Sequence, residues 1–149
     1  MEKGPPGPGA MKGKQMNLQD AELIEAKALP AAGATAYTDG MDLGEQSGRQ
    51  DFVAQVEFEI SIPATPALVE AKTIIVDIQT DNDVAFGSPK TVIDNIITVT
   101  GAALAAGGAA ASQRFRLPTD CEQYLRAGAT IPGDGGSNIA VDFTLKALF

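Results

Sequence analysis

The chain has no histidine, no tryptophan and a single cysteine, Cys121, among its 149 residues. Without histidine, neither a Ser-His-Asp nor a Cys-His nucleophilic arrangement can form, and a zinc site lacks its usual ligands. One cysteine excludes an intrachain disulfide. Cys121 stands between Asp120 and Glu122, whose charges disfavour its thiolate, so it reads as a small, partly buried side chain with no reactive role. Aromatic residues are scarce, with six Phe and two Tyr. Basic residues are outnumbered, 11 Lys and Arg against 19 Asp and Glu, for a net charge of −8. Nucleic-acid binding draws its affinity from Lys and Arg displacing counterions, so direct contact with nucleic acid is not expected. No apolar run approaches the ~20 residues of a membrane helix. A Gly/Pro-rich start, where a secretory signal would carry its apolar stretch, points to synthesis and use in the cytoplasm or in a particle assembled there, with no membrane partner.

The length fits one domain. Residues 1–29 read as a tail and arm, and residues 30–149 as the folded body. Gly4-Pro5-Pro6-Gly7-Pro8-Gly9 suits neither helix nor central strand, because proline lacks the amide donor and glycine is costly to order. A collagen triple helix would need the triplet sustained over many repeats. Leu18, Ala21 and Ile24 can share a helical stripe, with Asn17 as cap and Pro30 as stop. The preferred alternative is an extended arm laid against a partner, which makes Leu18, Leu23 and Ile24 candidate partner contacts.

From there the period is two. Tyr37, Met41 and Leu43 alternate as an edge strand ending in a turn from Gly44 to Gly48. Asp51 to Ile62 is the clearest strand: Phe52, Ala54, Val56, Phe58, Ile60 and Ile62 share one face, Gln55, Glu57, Glu59 and Ser61 the other. Ile74, Val76 and Ile78 repeat the pattern. Val92 to Thr100 continues it with a kink near Asp94-Asn95. Gly101 to Ser112 is nearly all Ala and Gly, too small to anchor a core, and reads as a mobile or partner-held loop. Arg114 to Pro118 and Cys121 to Ala127 give two short strands, Ile131 to Asn138 a turn, and Ile139, Val141, Phe143 and Leu145 the inward side of a last strand. Strands separated by Gly/Pro/Asp turns define an all-β, antiparallel β-sandwich. Spacing alone does not separate a jelly roll from an immunoglobulin-like order.

No constellation carries chemistry. Asp81, Asn82 and Asp83 offer oxygens to a hard cation, but lack the glycine and the distant Glu of an EF-hand loop, and read as a turn. Gly133-Asp134-Gly135-Gly136 has no Lys and is followed by a strand, so it is a hairpin turn and not a phosphate loop. Glu57 and Glu59 sit at glycosidase-like separation, yet the aromatic platform that holds a sugar is missing; they read as a solvated face. Arg114, Arg116 and Arg126 are expected on one outward face of two adjacent strands, where planar guanidinium forks would meet carboxylates of a neighbour. No cofactor and no catalytic activity are expected.

Ile74 to Thr80, the turn Asp81-Asn82-Asp83-Val84-Ala85-Phe86-Gly87-Ser88-Pro89, then Arg114-Phe115-Arg116-Leu117-Pro118 and Gln123-Tyr124-Leu125-Arg126 form an ordered pattern across the central half of the chain. It resembles the small capsid cement proteins of tailed bacteriophages, the family typified by the Bordetella phage cement protein. The resemblance implies a jelly roll with an extended N-terminal arm. It also implies a structural virion protein that forms dimers or trimers on the outer surface of the major capsid protein lattice and stabilises the expanded head. The alternative, from a different class, is a carbohydrate-binding or adhesin-like β-sandwich module, disfavoured by the few aromatics.

Overall fold

A computed structural model describes residues 23–148 as two antiparallel sheets packed face to face. In chain order the elements are β1 (Ile24–Ala28), β2 (Thr35–Tyr37), β3 (Met41–Asp42), α1 (Gln46–Gln55), β4 (Glu57–Ile62), β5 (Thr73–Asp81), β6 (Lys90–Thr100), β7 (Ala111–Phe115), β8 (Tyr124–Thr130) and β9 (Asp142–Leu148). One sheet runs β1-β9-β4-β7 and the other β2-β8-β5-β6, with β3 also paired to β8. Because β2 and β3 meet successive stretches of β8, they behave as one interrupted strand. Counted so, the order is compatible with a jelly roll, in which the chain alternates between sheets at nearly every connection.

The core follows from the two-residue period. Phe58, Ile60 and Ile62 of β4, Phe143 and Leu145 of β9, Ile74, Val76 and Ile78 of β5, and Leu125 and Ala127 of β8 are buried between the sheets. Phe58 stacks on Phe115 at 5.5 Å and meets the edge of Phe52 at 6.3 Å. Each such side chain contributes roughly 1.5–3 kcal/mol of gross transfer free energy. Cys121 is buried, and burial is the first cause of its raised thiol pKa, which fits the unreactive reading.

Several sequence expectations need correction. Asp51 to Gln55 is not strand: it belongs to α1, and the strand starts at Glu57. Arg49, Val53 and Val56 are buried at helical spacing, a pattern that overlaps the two-residue alternation of Phe52, Ala54 and Val56. The Gly44 to Gly48 turn is therefore partly the start of that helix. Arg49 fixes α1 by donating from Nε to the Cys121 carbonyl and from Nη1 to the Gly44 carbonyl, both at 2.8 Å. Residues 24–28, assigned above to the arm, are an edge strand of the first sheet, bonded along β9. Leu18 and the Gly/Pro segment lie outside the described residues. The kink in β6 is a bulge: Val76 pairs with Ile97 and Ile78 with Ile93, and Asn95 takes a φ of 54°. Ile139 is exposed, since β9 begins only at Asp142.

The two ends of the sandwich differ in content. β5 finishes, β8 starts and β1 starts at one end, which carries residues 82–89 and 116–123. The other end gathers residues 63–72, 101–110 and 131–141. Among the described residues no helix is long and apolar enough to cross a membrane.

Candidate functional site

A polar corner forms where β5 and β8 meet the turn after β5. Gln79 and Arg126 are directly opposite in the β5–β8 ladder, on the outward face. Arg126 Nε donates to Gln79 Oε1 at 2.9 Å. The guanidinium carbon then sits 3.7 Å from the Tyr37 ring centre and 4.2 Å from that of Phe86. A cation between two ring faces is held by both quadrupoles. Tyr37 reaches this position from β2 because its opposite residue on β8 is Gly128; a Cβ there would lie 2.7 Å from Tyr37 Cε1. Burial lowers the pKa of Arg126, and the carboxylate of Asp81 opposes that shift.

The turn that delivers Phe86 is built from its own acidic side chains. Asp81 Oδ1 accepts from the Asp83 amide at 3.0 Å and Oδ2 from the Ser88 amide at 2.8 Å. Asp83 Oδ1 accepts from the Ala85 amide at 3.0 Å. Asn82 Oδ1 accepts from the Gln123 amide at 3.1 Å, tying the turn to the start of β8. The bonds from Asp81 to the Asp83 amide and from Asp83 to the Ala85 amide are Asx-type, and they account for the aspartates by turn chemistry. The Asp83 amide, first, holds the Asp81 carboxyl below its ordinary range, with the Ser88 and Asn82 amides and Arg126 adding to it against burial. Among the described residues no group of three or more Cys, Asp or Glu is placed to hold a metal ion.

The three arginines do not share a face. Arg114 is on β7, in the first sheet, and Arg126 on β8, in the second. The connection from β7 to β8 crosses between sheets, so proximity in the chain is not proximity in space here. Arg114 is 3.6 Å from Glu57 and 3.5 Å from Glu59, and Lys146 is 3.3 Å from Glu59, so its carboxylate partners lie within the chain. Arg116 is exposed just beyond β7, at the same end as the Arg126 corner, with no ion pair among the described residues. Leu23 packs against the core and is no free contact, whereas Ile24 is exposed on β1. Sequence reasoning singled out Arg126 but not Gln79, Tyr37 or Phe86. Gln79 and Arg126 both fall on outward positions of their strands; Tyr37 carries no such signal until its pairing with β8 is known.

Gly101 to Ser112, expected to be a mobile or partner-held loop, forms bridged turns and ends in the start of β7. Ala102 and Gly107 bridge across a tight turn, and Thr65 pairs with Gly108. Gly101 and Gly108 lie so close to residues 65–69 that an added Cβ would fall 2.0 Å from the Val69 carbonyl oxygen or 2.3 Å from Thr65 Oγ1. Glycine here serves close packing. A shallow groove of about 300 Å³ lies beside this turn, lined by Ser61, Ile62, Pro63, Ala110, Ala111 and Ser112.

The fold and corner define an antiparallel β-sandwich with an arginine–aromatic surface cluster. No protein-family model matches the chain, and no curated protein does. Among solved structures, it is similar to a chain described as Family 16 Carbohydrate Binding Module-2, at 13% identity and a TM-score of 0.37, over 80% of this chain and 73% of that one.

Proposed function

We propose that this chain is a structural, non-catalytic clamp: a capsid cement protein that binds the outer surface of a major capsid protein lattice and stabilises the expanded head. One observation carries the reading. Most of the segments that resemble the cement family, which are separated by 47 positions between Gln79 and Arg126, converge on the single corner described above. The turn after β5 supplies Phe86, β8 supplies Arg126, and Asn82 locks the two together. β1 starts at this same end, and the arm expected from the sequence before it is proposed to extend the contact to a neighbouring capsomer. Many weak contacts made by one rigid block add through effective concentration.

The carbohydrate-binding alternative needs an open aromatic face. Tyr37 is the one exposed aromatic among the described residues, and its ring is engaged by Arg126, as is that of Phe86, which is 8% exposed.

The test is addition of purified protein to expanded shells lacking it, with occupancy and heat resistance as readouts. Occupancy at a fixed ratio to the capsid protein and a higher shell disruption temperature are expected. Arg126→Ala should lower affinity about tenfold, and removal of residues 1–22, which leaves β1 whole, should reduce it further. Shells that stay bare at saturating protein would refute the proposal.

A further inference from the structure

The end of the sandwich opposite the corner carries a protruding leucine. Leu104 is 96% exposed at the tip of the turn closed by the Ala102–Gly107 bridge. Leu104 and Ala105 have φ of 62° and 58°, and the Ala106 amide donates to the Ala103 carbonyl at 3.3 Å. Two successive left-handed residues are the centre of a primed turn, where Asn-Gly is the favoured pair. Leu-Ala is among the poorer choices for that backbone, and a strained backbone holding an apolar side chain in water points to a use for that side chain. The turn is held from behind, because Gly107 and Gly108 are wedged against Thr65, Pro66 and Leu68.

At the same end of the sandwich lies a place for a knob. The groove of about 300 Å³ surrounds the last rung of the β4–β7 ladder, Ile62 opposite Ala111, and has room for one branched side chain. No residue from Gly101 to Ser112 is charged. Two copies carrying −8 each repel at long range, and this uncharged segment is where they approach at less cost, although exposed Glu70 lies beside Gly101.

The geometry points to a self-complementary contact between two copies of this chain, with Leu104 of each seated in the Ile62–Pro63–Ala110–Ala111 groove of the other. Knob and groove on one patch satisfy the rule for a two-fold interface, in which residue i meets j and j meets i. The contact is separate from the shell-binding reading, since the free protein in solution tests it.

Sedimentation velocity over a range of concentrations should show a monomer–dimer equilibrium. Leu104→Asp and Ala110→Glu should each raise the dissociation constant about tenfold or more. An equimolar mixture of the two variants should associate better than either alone, because it restores one intact knob–groove pair. Leu104→Asn with Ala105→Gly relaxes the turn, so it should raise Tm while abolishing the dimer, a combination that a purely structural turn would not produce. A monomer at all concentrations, a dimer indifferent to Leu104→Asp, a mixture no better than its components, a relaxed turn that keeps the dimer, or open-ended polymers would each overturn the inference.

Discussion

The two ends of this sandwich solve the same problem, holding a long connection against a sheet, by opposite means. At the corner, residues 81–88 are held by side-chain carboxylates and amides reaching nearby backbone. At the other end, Gly101 and Gly107 lie directly on the backbone of residues 65–69, and Gly108 lies against the side chains of Thr65, Leu68 and Val99. A polar lattice tolerates loss of one bond, since water can replace it. Contact without intervening space tolerates no added atom. The difference teaches that the alanine- and glycine-rich segment, bland by composition, is the more rigidly specified of the two.

Substitution can break that comparison at its strongest point. Gly101→Ala puts a methyl 2.0 Å from the Val69 carbonyl oxygen. It should cost about 3 kcal/mol, as overpacking of a fixed backbone does, and lower Tm by roughly 6–12 °C. Gly133→Ala, with no atom within 4 Å of the new Cβ, is the control at the same end and should leave Tm unchanged or slightly higher.

At the corner, Arg126→Ala removes two cation–π contacts and the bond to Gln79. A loss of about 2 kcal/mol is expected, less than at Gly101, and chemical denaturation would measure it. Arg126→Lys should recover part of it, because an ammonium keeps the charge but not the planar stack.

Acidification separates two aspartates of β5. Asp81 is held below its ordinary value, so its ionised form stabilises the fold above the unfolded-chain value of about 3.9, and that contribution is lost as pH falls through the lower folded value. Asp77 is displaced upward, first by burial and then by neighbouring Asp94, against the bond from the Asn95 amide. Between its raised value and about 3.9 the folded chain holds the extra proton, so stability rises as pH falls through that window. Thermal melts from pH 7 downward should show a shallow rise followed by a fall. Asp77→Asn should lessen the rise, to which Glu25, also displaced upward by burial and then by Asp39, adds, and Asp81→Asn should flatten the fall.

The smallest effect belongs to Arg114. Its partners Glu57 and Glu59 lie on an exposed face, so Arg114→Ala should cost no more than about 0.5 kcal/mol. A loss above that of Arg126→Ala would mean that the outward face of the first sheet matters more than the corner.

Much of the β-sandwich was legible because Phe58, Ile60, Ile62, Ile74, Val76, Ile78, Phe143 and Leu145 obey a strict two-residue period, as half-buried strands do. The helix was not, because Arg49, Val53 and Val56 are spaced for a helical face while their neighbours also alternate. Of the candidate site, Arg126 and the Asp81–Asp83 turn were visible, the first as an outward cation and the second by its turn chemistry. Tyr37 and Phe86 were not, since a partner brought across a sheet by pairing leaves no mark in local spacing. The close packing of residues 101–108 was hidden for a related reason: glycine written for flexibility and glycine written for close packing look alike until the packed neighbour is known.

Hydroxyl-radical footprinting of the protein, free at low concentration, free at high concentration and bound to shells, tests the assignment of separate roles to the two ends. The account predicts that Leu104 loses labelling on concentration alone, whereas Tyr37 and Val84 lose it only on shells. Protection of Tyr37 and Val84 in the free concentrated protein, or unchanged labelling of both on shells, would contradict it.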